Sequence, residues 1–282
     1  RSDRPLATGS RPDAGERETA EEAGDRLAPV SIASWPSVGR WLLPALLVVT
    51  ACGPPRPVQR AEWTGDEDIE KLLRADAQSL LALEDLTAEV RFTLHKVGSA
   101  SGSILFQPPA LLRLDVRGPL FQRILSAVLD GDQLIALADD HLYHMPSRDG
   151  LNTFLDIDLG GYDPRLALLG VVAPGRRVEP TDYPRADRAR ITLDDGIAGQ
   201  RRRLWVDLHR GFVEREEILD DQGHTYWSRR MSHWRRLADT DLYLPAKIRI
   251  ERHGRVLELD YRRISVDGGL QRAVFFSGLG EP

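Results

Sequence analysis

The chain has 282 residues, with 38 Lys and Arg against 43 Asp and Glu, for a formal net charge of −5. Nothing in that balance suggests nucleic-acid binding, which calls for a strongly basic face. Cys52 is the only cysteine, so disulfides within the chain and cysteine-based metal sites are excluded as well.

Residues 1–37 are rich in Arg, Glu, Asp, Ala, Gly and Pro and nearly devoid of large apolar side chains, so they read as a disordered or non-native leader. Residues 38–51 follow as a signal peptide. Arg40 precedes a short apolar run that ends in Val49-Thr50-Ala51-Cys52. Secretory signals share this layout of basic start, apolar stretch and small-residue cleavage site. The run is far shorter than the ~20 apolar residues of a spanning helix. Pro44 inside it, and Pro54, Pro55 and Pro57 after it, argue against a buried helix. The tetrapeptide resembles a bacterial lipobox. That resemblance implies covalent diacylglycerol and an N-acyl chain on Cys52, with no other cofactor, and a protein held on the envelope by lipid. Gly53, rather than aspartate, follows Cys52, and the same resemblance then implies the outer membrane, facing the periplasm.

Residues 52–63 read as a tether and 64–282 as one domain. Thr64 and Glu67 have the spacing of a capping box. Ile69, Leu72, Leu73, Ala77, Leu80 and Leu81 follow at helical spacing and predict an amphipathic helix over 66–83. The period then changes to two. Leu86, Ala88, Val90, Phe92 and Leu94 alternate with polar residues, predicting a strand with one buried face. Ser99–Gly102 reads as a turn, and strands are predicted over 103–107, 112–117, 124–129, 134–138 and 142–145. Asp163-Pro164 starts a short apolar helix over 165–172, because proline suits the first helical position. Residues 173–184 form a Pro-rich loop. Six more strands are predicted over 188–193, 203–208, 212–219, 225–234, 246–252 and 255–264. Many short strands joined by tight turns imply antiparallel meanders, with the helices as cover for the apolar face.

The order of elements and the progression Gly102-Ser-Ile-Leu-Phe106-Gln-Pro108-Pro-Ala-Leu-Leu-Arg113-Leu-Asp115 resemble the LolA/LolB superfamily of lipoprotein carriers. Asp130-Gly131-Asp132, Leu204-Trp205-Val206-Asp207 and Leu244-Pro245-Ala246 resemble later hairpins of that family. The resemblance implies a mainly β (α+β) fold: an antiparallel half-open β-barrel closed by short helices over an apolar cavity. It implies a lipid or acyl-chain ligand, or an acylated protein, and partners among other lipoproteins or envelope proteins. Leu120 and Phe121 stand where LolB carries a membrane-inserting loop. The cavity face is assigned to Val90, Phe92, Leu94, Ile104, Phe106, Leu112, Leu114 and Trp205, with Trp227 and Trp234 at its mouth and the helix over 165–172 as its lid. A sensor or assembly-interaction lipoprotein, with the cavity filled and a surface that recognises a partner, is the competing class.

Catalysis is not expected. His141 and His144 sit at i, i+3 in a predicted strand, where side chains point to opposite faces. Gly98-Ser-Ala-Ser-Gly102 lacks serine at the centre that a nucleophile elbow requires. The abundant Asp and Glu read as solvated strand faces and turns.

Overall fold

The computed structural model describes residues 58–60, 68–157, 159, 161–194 and 200–279. The first half contributes β1 (Leu86–Leu94), β2 (Gly98–Gln107), β3 (Leu111–Arg117), β4 (Arg123–Asp130), β5 (Gln133–Ala138) and β6 (His141–Pro146). The second contributes β7 (Arg176–Arg177), β8 (Asp182–Arg185), β9 (Arg188–Asp194), β10 (Arg201–Asp207), β11 (Phe212–Leu219), β12 (Thr225–Arg236), β13 (Tyr243–Arg252) and β14 (Arg255–Val266). Among the described residues these strands form one antiparallel sheet in the order β6-β5-β4-β3-β2-β1-β14-β13-β12-β11-β10-β9-β7, and β8 also pairs with β9. The ends of this path do not meet, so the sheet is a half-open barrel. Its two meanders join where β1 pairs with β14, from Leu86 opposite Val266 to Leu94 opposite Leu257.

Among the described residues four α-helices accompany the sheet: α1 (Ile69–Leu81), α2 (Ser147–Leu155), α3 (Pro164–Leu169) and α4 (Arg272–Phe276). Asp68 caps α1, its carboxylate accepting from the Glu70 N–H, so the helix starts later than 66. The Thr64–Glu67 box lies outside the described residues. Leu73 and Leu80 of α1, Leu151 and Leu155 of α2, and Ala167, Leu168 and Leu169 of α3 join the inward side chains of the strands in one large core. Leu81 is exposed. Arg60, within the predicted tether, is docked on the fold. Its guanidinium donates to both Asp76 carboxylate oxygens at 2.7 and 2.6 Å and lies over the Phe212 and Tyr243 rings.

Several elements differ from the sequence expectation. Ser99–Gly102 is strand, and the reversal falls at 95–97, where Lys96 takes a positive φ of 68°. The Pro-rich loop contains β7 and β8, and α2 and α4 are additional helices.

α4 packs on the outward face, where Phe275 and Leu279 meet Leu111 and Val128 in a second small core. Arg113 fixes it there. Its Nη1 donates to the carbonyls of Val274, Phe275 and Ser277 at 2.9, 2.9 and 2.7 Å, while its Nε donates to Asp115 Oδ2 at 2.7 Å. Ser126 donates to the other Asp115 oxygen. Burial opposes ionisation of Asp115, but the hydrogen bonds from Arg113 and Ser126 outweigh it and hold the carboxyl below its usual 3.8. A depressed folded value means that its stabilisation is complete above the unfolded value and is lost as pH falls through the folded one. Urea midpoints should therefore show a wild-type advantage over Asp115→Asn at neutral pH that shrinks steadily as pH drops below about 4. A constant gap would contradict the assignment.

Candidate functional site

The inward face of the sheet is built from alternate residues of its strands, even-numbered in β1, β2 and β3 and odd-numbered in β4 and β9. Ile104 stands opposite Leu114 and Phe106 opposite Leu112 across β2 and β3, while Val90 stands opposite Gly102 across β1 and β2. Val90, Phe92, Ile104, Phe106, Leu112 and Leu114 are all buried in the large core. Leu94 is half-buried at the strand end. Trp205 requires a correction. Its neighbours Leu204 and Val206 point inward, so Trp205 points outward, where Arg215 and Arg203 lie 4.9 and 6.0 Å from its ring centre. Trp227 and Trp234 are core residues, stacked on Tyr162 and Phe212 at centroid distances of 5.7 and 4.7 Å.

α3 and the segment after it fill the inward face over β11–β14. Asp163 caps the helix by accepting from the Arg165 N–H, and Gly170 ends it in the left-handed region at φ 72°. Pro164, Ala167, Leu168, Leu169, Val171 and Val172 are buried. A short helix pressed into a core leaves its last carbonyls without water, and each needs a donor. The strands supply them. Arg229 Nη1 donates to the Leu166 and Ala167 carbonyls at 2.9 and 3.0 Å, and its Nη2 donates to Val171 at 3.1 Å. Tyr261 donates to the Leu168 carbonyl. Arg202 donates to the carbonyls of Ala173 and Pro174 at 2.8 and 3.1 Å.

One carboxylate, Glu216, balances the two guanidinium groups. Its Oε2 accepts from Arg229 Nη2 at 2.6 Å, and its Oε1 accepts from Arg202 Nη1 at 3.3 Å and from the Tyr162 hydroxyl. Glu216 and Arg229 are 0 % exposed and Arg202 is 1 %. Charges this deep persist only when paired and hydrogen-bonded. Burial, reinforced by the Glu216 charge, pushes the Tyr162 phenol well above its ordinary range, and burial pushes Tyr261 up too. Both therefore remain neutral donors across the physiological range. The expectation that the acidic residues lie on wet faces fails at Glu216. The missed signal is parity: Arg202, Glu216 and Arg229 occupy the inward register of Leu204, Ile218 and Met231.

The remaining sequence candidates are dispersed. Cys52 and residues 38–51 lie outside the described residues. His141 and His144 are exposed on the edge strand β6, with His141 Nδ1 2.6 Å from the Asp139 carbonyl. Among the described residues no three His, Cys, Asp or Glu side chains gather as a metal site would require. Leu120 projects from the turn between β3 and β4, 94 % exposed.

No family model matches the sequence, and no curated protein does. The fold, by contrast, is shared with solved structures. A DUF1329 family protein from Desulfovibrio piger superposes with a TM-score of 0.56 at 13 % identity, over 73 % of this chain and 95 % of that one. A putative outer membrane lipoprotein-sorting protein domain from Vibrio parahaemolyticus gives 0.51 at 10 % identity, over 74 % and 97 %. A LolA superfamily protein from Nitrosomonas europaea gives 0.50 at 13 % identity, over 74 % and 97 %. The chain thus has the half-open barrel of the LolA-like fold.

Proposed function

We propose that this chain is a lipid-anchored envelope protein, attached through Cys52 and facing the periplasm. Its LolA-like domain binds an acyl chain of a lipid or of an acylated protein rather than catalysing a reaction. The observation that carries this reading is that α3 and residues 170–174 plug the inward face while remaining attached through side chains of the sheet. Arg229, Arg202 and Tyr261 grip the plug by its carbonyls, so it can leave without unpairing a strand.

The magnitudes are compatible with exchange. Withdrawing Leu168, Leu169, Val171 and Val172 from the core costs roughly 6–12 kcal/mol at about 1.5–3 kcal/mol each. An acyl chain of about 16 carbons regains a similar sum at ~0.8 kcal/mol per methylene. Glu216 keeps both arginines paired when the plug moves. Two buried donors beside it, Trp227 Nε1 and Arg229 Nε, have no acceptor among the described residues, which suits the polar end of a ligand.

Completeness of the plug's hydrogen bonding favours a second reading, a permanently filled domain that recognises a partner protein by its surface. Native mass spectrometry of the Cys52→Ala chain after incubation with palmitate separates the two. A bound-palmitate adduct is the expected result, and an adduct-free spectrum under the same conditions supports the partner-binding reading instead. Metabolic labelling with radioactive palmitate tests the anchor: label enters the wild type and is absent from Cys52→Ala, and equal labelling of both would overturn it.

A further inference from the structure

The outward face of the sheet carries a feature independent of the interior. Trp205, Arg215, Arg230 and Arg249 lie on the consecutive strands β10, β11, β12 and β13 and stand directly opposite one another in register. Like charges in directly opposed positions destabilise a sheet, yet three arginines occupy this row. The outer two have compensation: Arg215 pairs with Glu217 and stacks on Trp205, while Arg249 pairs with Glu258 and, at 3.7 Å, with Glu251. Arg230, in the middle, has no side-chain ion pair or hydrogen bond among the described residues. Neither has Lys247 nor Arg91, which flank Asp260 from the neighbouring strands β13 and β1.

These cations share a depression. Arg91, Arg230, Lys247 and Arg249 line an open groove of about 680 Å³. It adjoins a cleft of about 400 Å³ lined by Trp205, Arg215, Arg185 and Arg188, and Arg230 and Glu214 belong to both.

We propose that this groove binds a phosphate-bearing anion, a phosphate ester held around Arg230. A carboxylate has two oxygens and is filled by a single guanidinium fork. A phosphate offers more acceptors in a tetrahedral array and suits several cations that approach from different strands. Glu214, Glu258 and Asp260 in the same lining repel a long polyanion, so the site fits one compact group rather than a nucleic-acid backbone. The row of arginines is then a site whose repulsion is relieved by the ligand.

The test uses the full chain carrying Cys52→Ala, with and without Arg230→Ala. Calorimetric titration with glycerol phosphate probes a soluble ester, and co-sedimentation with phosphatidylcholine vesicles, with and without phosphatidylglycerol, probes a lipid headgroup. Binding to glycerol phosphate assigns a soluble source, and binding to phosphatidylglycerol vesicles alone assigns a headgroup. In either case Arg230→Ala should weaken it about tenfold or more, the loss of one charge-assisted contact. The same variant should unfold at an equal or higher urea midpoint, because a like-charge neighbour is removed. Arg263→Ala, on an arginine outside both clefts, should change neither readout. The proposal is overturned if neither probe binds, if Arg230→Ala binds as tightly as its parent, or if acetate competes as well as phosphate.

Discussion

Glu216→Ala should lower the free energy of unfolding by about 3–5 kcal/mol, read from urea denaturation at neutral pH. The side chain is fully buried and is the carboxylate that accepts from Arg202, Arg229 and Tyr162. Removing it leaves two guanidinium groups in the core without their counter-charge. A buried ion cluster can often be exchanged wholesale for apolar residues at no cost. Here it should not be, because the arginines also serve the carbonyls of Leu166, Ala167, Val171, Ala173 and Pro174. Each carbonyl left without a donor costs about 1–3 kcal/mol. The triple variant Arg202→Met, Glu216→Leu, Arg229→Met is accordingly expected to be destabilised and to lose hydrogen-exchange protection at residues 166–172 first. A triple variant as stable as the wild type would show that the cluster does not hold the plug.

Gly102→Ala should cost about 3 kcal/mol or more, at the upper end of overpacking effects, with loss of soluble expression as the simplest readout. A Cβ at this position would lie 2.0 Å from the backbone oxygen of Asp115 and 2.8 Å from the Phe92 ring. The first contact is with the main chain of the neighbouring strand, so relief requires β2 and β3 to separate. Ser101→Ala, one residue earlier and exposed, is the control and should be neutral. The glycine that marks the family-like progression in the sequence thus has a steric reason.

The alternation of apolar residues made the strands legible, because a sheet covered on one face imposes period two over much of its length. The order Leu86, Ala88, Val90, Phe92 was enough to place β1 and its inward face. Trp205 shows the limit: the family resemblance put it in the cavity, while its register between Leu204 and Val206 places it outside. Parity was the better guide, and it would also have exposed Arg202, Glu216 and Arg229 as buried charges. The segment Ser99–Gly102 looked like a turn because its residues are small, yet at Gly102 the missing side chain serves the close approach of β3. α2 was hidden for another reason. Pro146 precedes it without a side-chain cap, and Gly150 sits inside it, so neither a start signal nor a clean apolar stripe was present. α4, five residues long, derives its stability from Arg113 and the apolar face of β3 and β4, contacts that no local pattern encodes.

The proposed function makes α3 a plug that yields to an acyl chain. Hydrogen exchange of the Cys52→Ala chain, with and without palmitate, tests that directly. The amides of residues 166–172 should exchange faster when palmitate is bound, while those of β12 and β13 stay protected. Unchanged protection of 166–172 in a chain shown to carry palmitate would contradict it.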